Sequence, residues 1–312
     1  MRIPKPNPIW FFLSPALFLI IVFYVVPLFF SIYISFTPLQ NWNLARYLDQ
    51  ISLENYERLF YMAMNDPDVT KVVKTTIVFV TITLIFNVLG GLILALSMFF
   101  MDESLSLPYR LIWILPRMTP IAVYSLIWYY FFLGDESGTL NSLLLRLGVI
   151  EKPLAWGNSP ELLPESAWAI IILVNGLVGV SFGMVVFYSA LRSLPREHVI
   201  AARVEGASAF QMTRYVLVPQ LKWHIIYVTV WQLLSLITTY AHIFLLVQWG
   251  AIDKWWGSPW ALYVFNTAFT TSDQGFAAAA AVILVVIGGI LGILVLRLMG
   301  FKKLMQEPKG EL

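Results

Sequence analysis

Six long apolar stretches constrain this chain more than any other feature. They run over roughly Ile9–Ser35, Lys74–Phe100, Leu111–Leu133, Trp168–Leu191, Trp223–Val247 and Gly275–Met299. Each is long enough to cross a hydrocarbon core as a helix, which takes about 20 residues. Helices satisfy their own backbone hydrogen bonds and can therefore stand in lipid. Composition agrees: 59% of the 312 residues are hydrophobic, 12% are charged, and mean hydropathy is +0.76. A soluble domain carries about 25% charged residues. The expectation is an all-α polytopic membrane protein with six transmembrane helices. The first stretch is too long for a signal-peptide core and lacks a small-residue cleavage site, so it reads as a retained helix.

Lysine and arginine placement gives an orientation. One set of loops and termini holds twelve: Arg2, Lys5, Arg110, Arg192, Arg196, Arg203, Arg214, Lys222, Arg297, Lys302, Lys303 and Lys309. The opposite set holds seven: Arg46, Arg58, Lys71, Lys74, Arg146, Lys152 and Lys254. Both termini and the 192–222 loop are thus expected in the cytoplasm. The longer loops at 36–73, 134–167 and 248–274 face outward. Three domains are expected: a tail, first span and outer loop over 1–70, a core over 71–300, and a tail over 301–312.

The loops have character of their own. Leu140, Leu143, Leu144 and Leu147 recur at helical spacing and predict a short amphipathic helix in the 134–167 loop. Trp249, Trp255, Trp256, Trp260 and Tyr263 crowd the last outer loop. Two readings stand: an interfacial aromatic belt, or a surface that stacks on a sugar ring or a docked partner. Gly179 with Gly183, Gly288 with Gly292, the Gly90–Gly91 pair and the alanines at 277–281 favour close helix contacts.

Absences exclude several functions. There is no cysteine, and His198, His224 and His242 are widely separated, so no metal-ligand cluster is expected. No phosphate-binding G-x-x-x-x-G-K-[ST], no H-E-x-x-H and no G-x-S-x-G occurs. The chain reads as a non-enzyme with no cofactor and no nucleic-acid partner. No span core holds Asp or Glu, the usual parts of an ion relay. Arg117 is the one conspicuous intramembrane charge, flanked by Pro116 and Pro120, which tend to kink or unwind a helix. It either snorkels to the near interface or faces a cavity or partner helix.

The segment from Leu194 to Leu221 stands apart. Pro195 suits a helix start, and Glu197 follows in the first turn, where the dipole favours an acid. A short helix over Arg196–Glu205 should end at Gly206. Ser208 and Gln211 have capping-box spacing for a second helix. That helix should run to about Leu217 and stop at Pro219. The product is a cytoplasmic helix–turn–helix knob fixed to the fourth and fifth spans.

This segment resembles the "EAA" loop of binding-protein-dependent ABC importer permeases. Their pattern is E-A-A, three residues, Gly, nine residues, then I-x-L-P. Here Ala201-Ala202 is followed by three residues, Gly206, nine residues, and Val216-Leu217-Val218-Pro219. Ala207-Ser208 matches the common D-G-A-S form, with Glu205 in the Asp place. The resemblance departs at Ile200, which replaces the motif acid. Other runs resemble the carbohydrate branch (MalF- and UgpA-like): Asn87 to Leu96, Tyr109-Arg110 through Leu115-Pro116, Pro120 and Ile127-Trp128, Gly138-Thr139-Leu140-Asn141, and Leu191 to Pro195. The stretch Trp249 to Pro259 keeps only Gly257-Ser258-Pro259 of the family's outer run.

The resemblance implies a permease subunit paired with a second, non-identical permease. It also implies two cytoplasmic ATPase subunits, which bind ATP and Mg, and an extracytoplasmic solute-binding protein. Ile200, Ala201, Ala202, Arg203, Glu205, Gly206, Ala207 and Pro219 would couple to the ATPase, with Arg214 a further contact. The solute route would lie between spans three to six. Candidates there are Tyr124, Asn175, Gln232, Ser235, Thr238, Thr239, Tyr240 and His242, each equally able to bond a neighbouring helix. Hydroxyls, amides and aromatics suit a sugar or polyol. A permease for glycerol phosphate or a peptide is the near alternative; a secondary transporter or a membrane scaffold is the distant one.

Overall fold

The computed structural model describes residues 8–301. The charges Arg2, Lys5, Lys302, Lys303 and Lys309, and the expected tail beyond residue 301, lie outside the described residues. Among the described residues sixteen α-helices follow one another and there is no strand. They are α1 (Pro8–Ile20), α2 (Val26–Ser35), α3 (Leu44–Tyr47), α4 (Glu54–Asn65), α5 (Pro67–Phe100) and α6 (Glu103–Met118). Next come α7 (Ile121–Phe132), α8 (Thr139–Arg146), α9 (Glu165–Arg192), α10 (Arg196–Val204) and α11 (Ala209–Met212). The last are α12 (Val218–Gln220), α13 (Lys222–Thr238), α14 (Ala241–Gln248), α15 (Trp260–Phe269) and α16 (Gln274–Leu298).

Five helices or joined helices are long and apolar enough to span a membrane: Phe12–Ser35, α5, α9, Lys222–Gln248 and α16. The sixth is reached only by counting α6 and α7 together. The single span expected over Leu111–Leu133 is instead two helices meeting at 96°. Pro120 is the reason: the residue before a proline is driven out of the helical region, and Thr119 sits at ψ 132°. A second departure lies in the fifth span, where Thr239 is extended at ψ 128° and separates α13 from α14.

Two π-helical turns were not anticipated, Ile21–Val25 and Thr213–Leu217. Each precedes a proline, Pro27 or Pro219, placed in the first two positions of the helix that follows. A proline ring collides with the carbonyl four residues back, and a wider turn moves that carbonyl aside. Pro219 therefore does not stop the helix. Leu221 N–H bonds to Leu217 O at 3.1 Å and Ile225 N–H to Leu221 O at 2.9 Å, carrying the helical path into α13.

The chain forms two compact units. One comprises the residues up to Asp66 with Val264–Val285, and the other Pro67–Tyr263 with the residues from Val286. In the first unit, the Asn55 amide donates to the Ser35 and Thr37 carbonyls at 3.0 and 2.8 Å, closing the turn after α2. Arg58 pairs with Asp273 at 2.7 Å and lies over the Phe276 ring. Gly275 N–H bonds to Leu39 O at 2.9 Å, an approach that a Cβ would block through Thr37 O.

The second unit is organised by α5 against α9. A Cβ on Gly91 would stand 2.8 Å from Met184 N and 2.9 Å from Gly183 Cα, so these helices touch backbone to backbone. The Gly179/Gly183 pair thus makes the close contact its spacing predicts. Gly288 and Gly292 do not: their nearest neighbours are Ile237 and Leu234 side chains at 3.7 and 3.6 Å. The amphipathic helix expected in the 134–167 loop is α8. Fully buried Asn141 ties it down, donating to the carbonyls of Leu133, Asp135 and Leu154 and accepting from Leu154 N and Trp156 Nε1. Beside it, hydrogen bonds from Ser137 hold the Asp135 carboxyl below the ordinary carboxylate range.

Candidate functional site: the capped loop and the broken spans

The knob forms as its local chemistry dictates. α10 ends in a Schellman motif: Gly206 N–H bonds to Arg203 O at 3.0 Å and Ala207 N–H to Ala202 O at 2.9 Å. Gly206 takes φ +76°, the left-handed region. Ser208 Oγ accepts from Gln211 N, and Gln211 Oε1 accepts from Ser208 N, so the capping box is complete.

One side of the knob is embedded. Ala202, Met212, Leu217 and Leu221 join the apolar core built by Leu94, Ala95, Met98, Phe187 and Leu191 of α5 and α9. Successive helical residues are about 100° apart, so Ile200 and Val204 lie on the face of α10 opposite Ala202, with Arg203 on its flank. They are exposed, Ile200 at 57% and Val204 at 82%, as are Ala201, Glu205, Phe210 at 71%, Arg214 and Pro219. A small buried alanine lets α10 sit close to the bundle. The large outward residues leave an apolar surface fixed to a rigid base.

The expected solute-path residues divide. Tyr124, Asn175 and Gln232 are buried. The Tyr124 hydroxyl donates to Val174 O at 2.7 Å, and its ring meets the His242 ring edge-on at 5.7 Å. Gln232 donates to Gly179 O at 2.7 Å and accepts from Asn87 Nδ2 at 3.2 Å. Ser235 and Thr238 are exposed, and Thr239, Tyr240 and His242 are half-buried. The Thr238 and Thr239 hydroxyls bond back to the Ser235 carbonyl at 3.1 and 2.7 Å. They satisfy acceptors that the break before α14 frees.

Sequence reasoning missed two groups. Asn87 is the lone amide of the second span, and that rarity was the available signal. Its Oδ1 and the Thr83 hydroxyl one turn away are buried without a partner among the described residues. The second group is aromatic. Phe182 of α9 stacks near Trp231 and Tyr227 of α13, with centroids at 6.0 and 6.4 Å, and Arg117 lies over Phe182 at 5.2 Å. Tyr227 and Trp231 also line an apolar groove of about 560 Å³.

The tryptophans of the 248–274 loop are largely used internally. Trp168 Nε1 donates to Thr75 Oγ1, which donates to Trp256 O, and Trp260 N–H bonds to Thr76 Oγ1. Trp260 is buried, whereas Trp249 is exposed and packs on Tyr129.

Several helices long and apolar enough to cross a membrane, with no strand among the described residues, define a polytopic membrane protein. The chain belongs to the family described as binding-protein-dependent transport system inner membrane component, whose model matches residues 87–302. It is the transport component of such a system rather than an enzyme. It is similar to the probable ABC transporter permease protein YurN of Bacillus subtilis, 25% identical over 89% of this chain and 91% of that one. It is also similar to the multiple sugar-binding transport system permease protein MsmF of Streptococcus mutans, 28% identical over 93% and 94%. A bacterial alginate ABC transporter, solved in complex with an alginate pentasaccharide-bound periplasmic protein, shares the fold. Its TM-score is 0.78 at 18% identity, covering 94% of this chain and 93% of that one.

Proposed function

We propose that this chain is the permease subunit through which an ATP-driven importer passes a carbohydrate delivered by an extracytoplasmic binding protein. The observation that carries the coupling role is the two-faced knob: Ala202, Met212, Leu217 and Leu221 in the core, Ile200, Arg203, Val204 and Phe210 outside. A second permease completes the path, and two ATPase subunits bind ATP and Mg on the cytoplasmic side. Closure of the ATPase pair pushes α10 and α11, and their anchorage to α5 and α9 carries the push into the spans of the 71–300 core. Both termini lie on that same side. With Ile200 where relatives of this type carry an acid, docking here rests on apolar packing, and Arg203 and Arg214 add charge. The sugar reading draws on the named relatives and on the hydroxyl, amide and aromatic side chains along α13.

Purification of the tagged chain in mild detergent tests this. An ATPase and a second permease should accompany it, and reconstituted uptake should require ATP hydrolysis. Uptake that persists without hydrolysis, with no ATPase bound, would falsify the proposal.

A further inference from the structure

Arg117 is placed where a cation is costly. Its guanidinium lies over Phe182, seventeen residues from the Glu165 end of α9 and ten from the Arg192 end. At about 1.5 Å per residue, that is about 5 Å from the helix midpoint. The guanidinium therefore stands beside the apolar stretch of α9 rather than beyond its end. It is exposed, and among the described residues it makes no ion pair or hydrogen bond. An unpaired charge at this depth faces water or a ligand rather than lipid tails.

Its surroundings say which ligand. The aromatic ledge beside it is open, with Tyr227 52% and Trp231 53% exposed. Aromatic faces take the apolar face of a sugar ring, and a guanidinium takes an oxyanion through two parallel N–H donors. The elbow between α6 and α7 holds the arginine against this ledge, on the last turn of α6, where the helix dipole also favours a cation.

We propose that Arg117 is the anion-recognising residue of the solute path, and that the carbohydrate carried is acidic, a sugar bearing a carboxylate. This rests on the carbohydrate-permease reading and narrows it. A neutral sugar offers hydroxyl acceptors but no charge to offset the guanidinium, whereas a carboxylate offers both.

The test uses the full chain with its co-purifying subunits in phosphatidylcholine nanodiscs. Saturation-transfer NMR compares a mannuronate pentasaccharide with the same pentasaccharide reduced to neutral mannose. The acidic sugar should bind at least about tenfold more tightly, as expected for one charge-assisted bidentate contact. Arg117→Gln should abolish that preference, and Arg117→Lys should keep part of it. Equal binding of both sugars, or a preference that survives Arg117→Gln, overturns the proposal. So does loss of the second permease from the Arg117→Gln complex, which would make the arginine an interface residue. Nanodiscs containing phosphatidylglycerol cover the remaining source of an oxyanion. If Arg117→Gln lowers only the retained lipid, the arginine serves a headgroup and the proposal fails. Absence of both sugar signals and of any ATPase would bring down the underlying permease reading as well. Equal sugar binding with the ATPase present removes only the arginine assignment.

Discussion

Replacing Gly206 by alanine isolates the conformational part of the knob's stability. The residue sits at φ +76°, and an added Cβ would meet no atom within 4 Å. No clash contributes, so the whole cost is that of holding an L-residue left-handed, about 1–2 kcal/mol. At about 1.4 kcal/mol per tenfold, local opening should rise about 5- to 30-fold. The bonds that open are Gly206 N–H to Arg203 O and Ala207 N–H to Ala202 O. Hydrogen exchange of the nanodisc-embedded chain reads this directly: peptides covering residues 196–212 should exchange faster by that factor. Those from α5 and α9 should be unchanged. Gly206→Asn should fall between, because asparagine tolerates this region better than alanine. Unchanged exchange in Gly206→Ala would refute the cap assignment, and equal acceleration in α5 and α9 would refute the claim that the effect is local. In the assembled transporter, the same variant should raise ATP hydrolysed per solute imported.

Other consequences are separable. Gly91→Ala should lower thermal stability by about 1–3 kcal/mol through overpacking, because its Cβ meets Gly183 and Met184 backbone. Gly288→Ala should change it by less than about 0.5 kcal/mol, and equal effects in unfolding scans would contradict the contact geometry. Gln232→Leu removes a second donor from the Gly179 carbonyl and leaves the Asn87 amide without its acceptor, and should destabilise by about 1–2 kcal/mol with the KM for uptake unchanged. A raised KM at normal stability would instead make Gln232 a solute contact. Asn141→Ala removes five hydrogen bonds and should cost about 2–4 kcal/mol locally. Limited proteolysis should then cut between Leu133 and Trp156, and resistance equal to the parent chain would show the hub to be dispensable.

The knob was legible because its determinants are neighbours in sequence. Gly206, Ser208 and Gln211 act on backbone groups two to four residues away, and the observed caps are those their spacing predicts. Pro219 was misread for the complementary reason. Whether a proline ends a helix depends on whether the preceding turn can widen, and Thr213–Leu217 does so. The two G-x-x-x-G pairs look alike in sequence, yet only Gly179/Gly183 meets a facing glycine. The facing residue, Gly91, lies on another helix.

The all-helical class, five of the six spans and the capped turn were determined by the sequence alone, since run length, hydropathy and short-range hydrogen bonding suffice for them. Tertiary structure decided the size of the elbow that Pro120 starts, 96°, and the break at Thr239–Tyr240. It also decided that Gln232 bonds α9 and α5 while Ser235 stays exposed, and that Arg117 rests on Phe182 near mid-helix. Asn87 and Gln232, polar side chains within apolar runs, have their partners on other helices, 145 residues apart in sequence. Their roles are therefore fixed only when the helices pack.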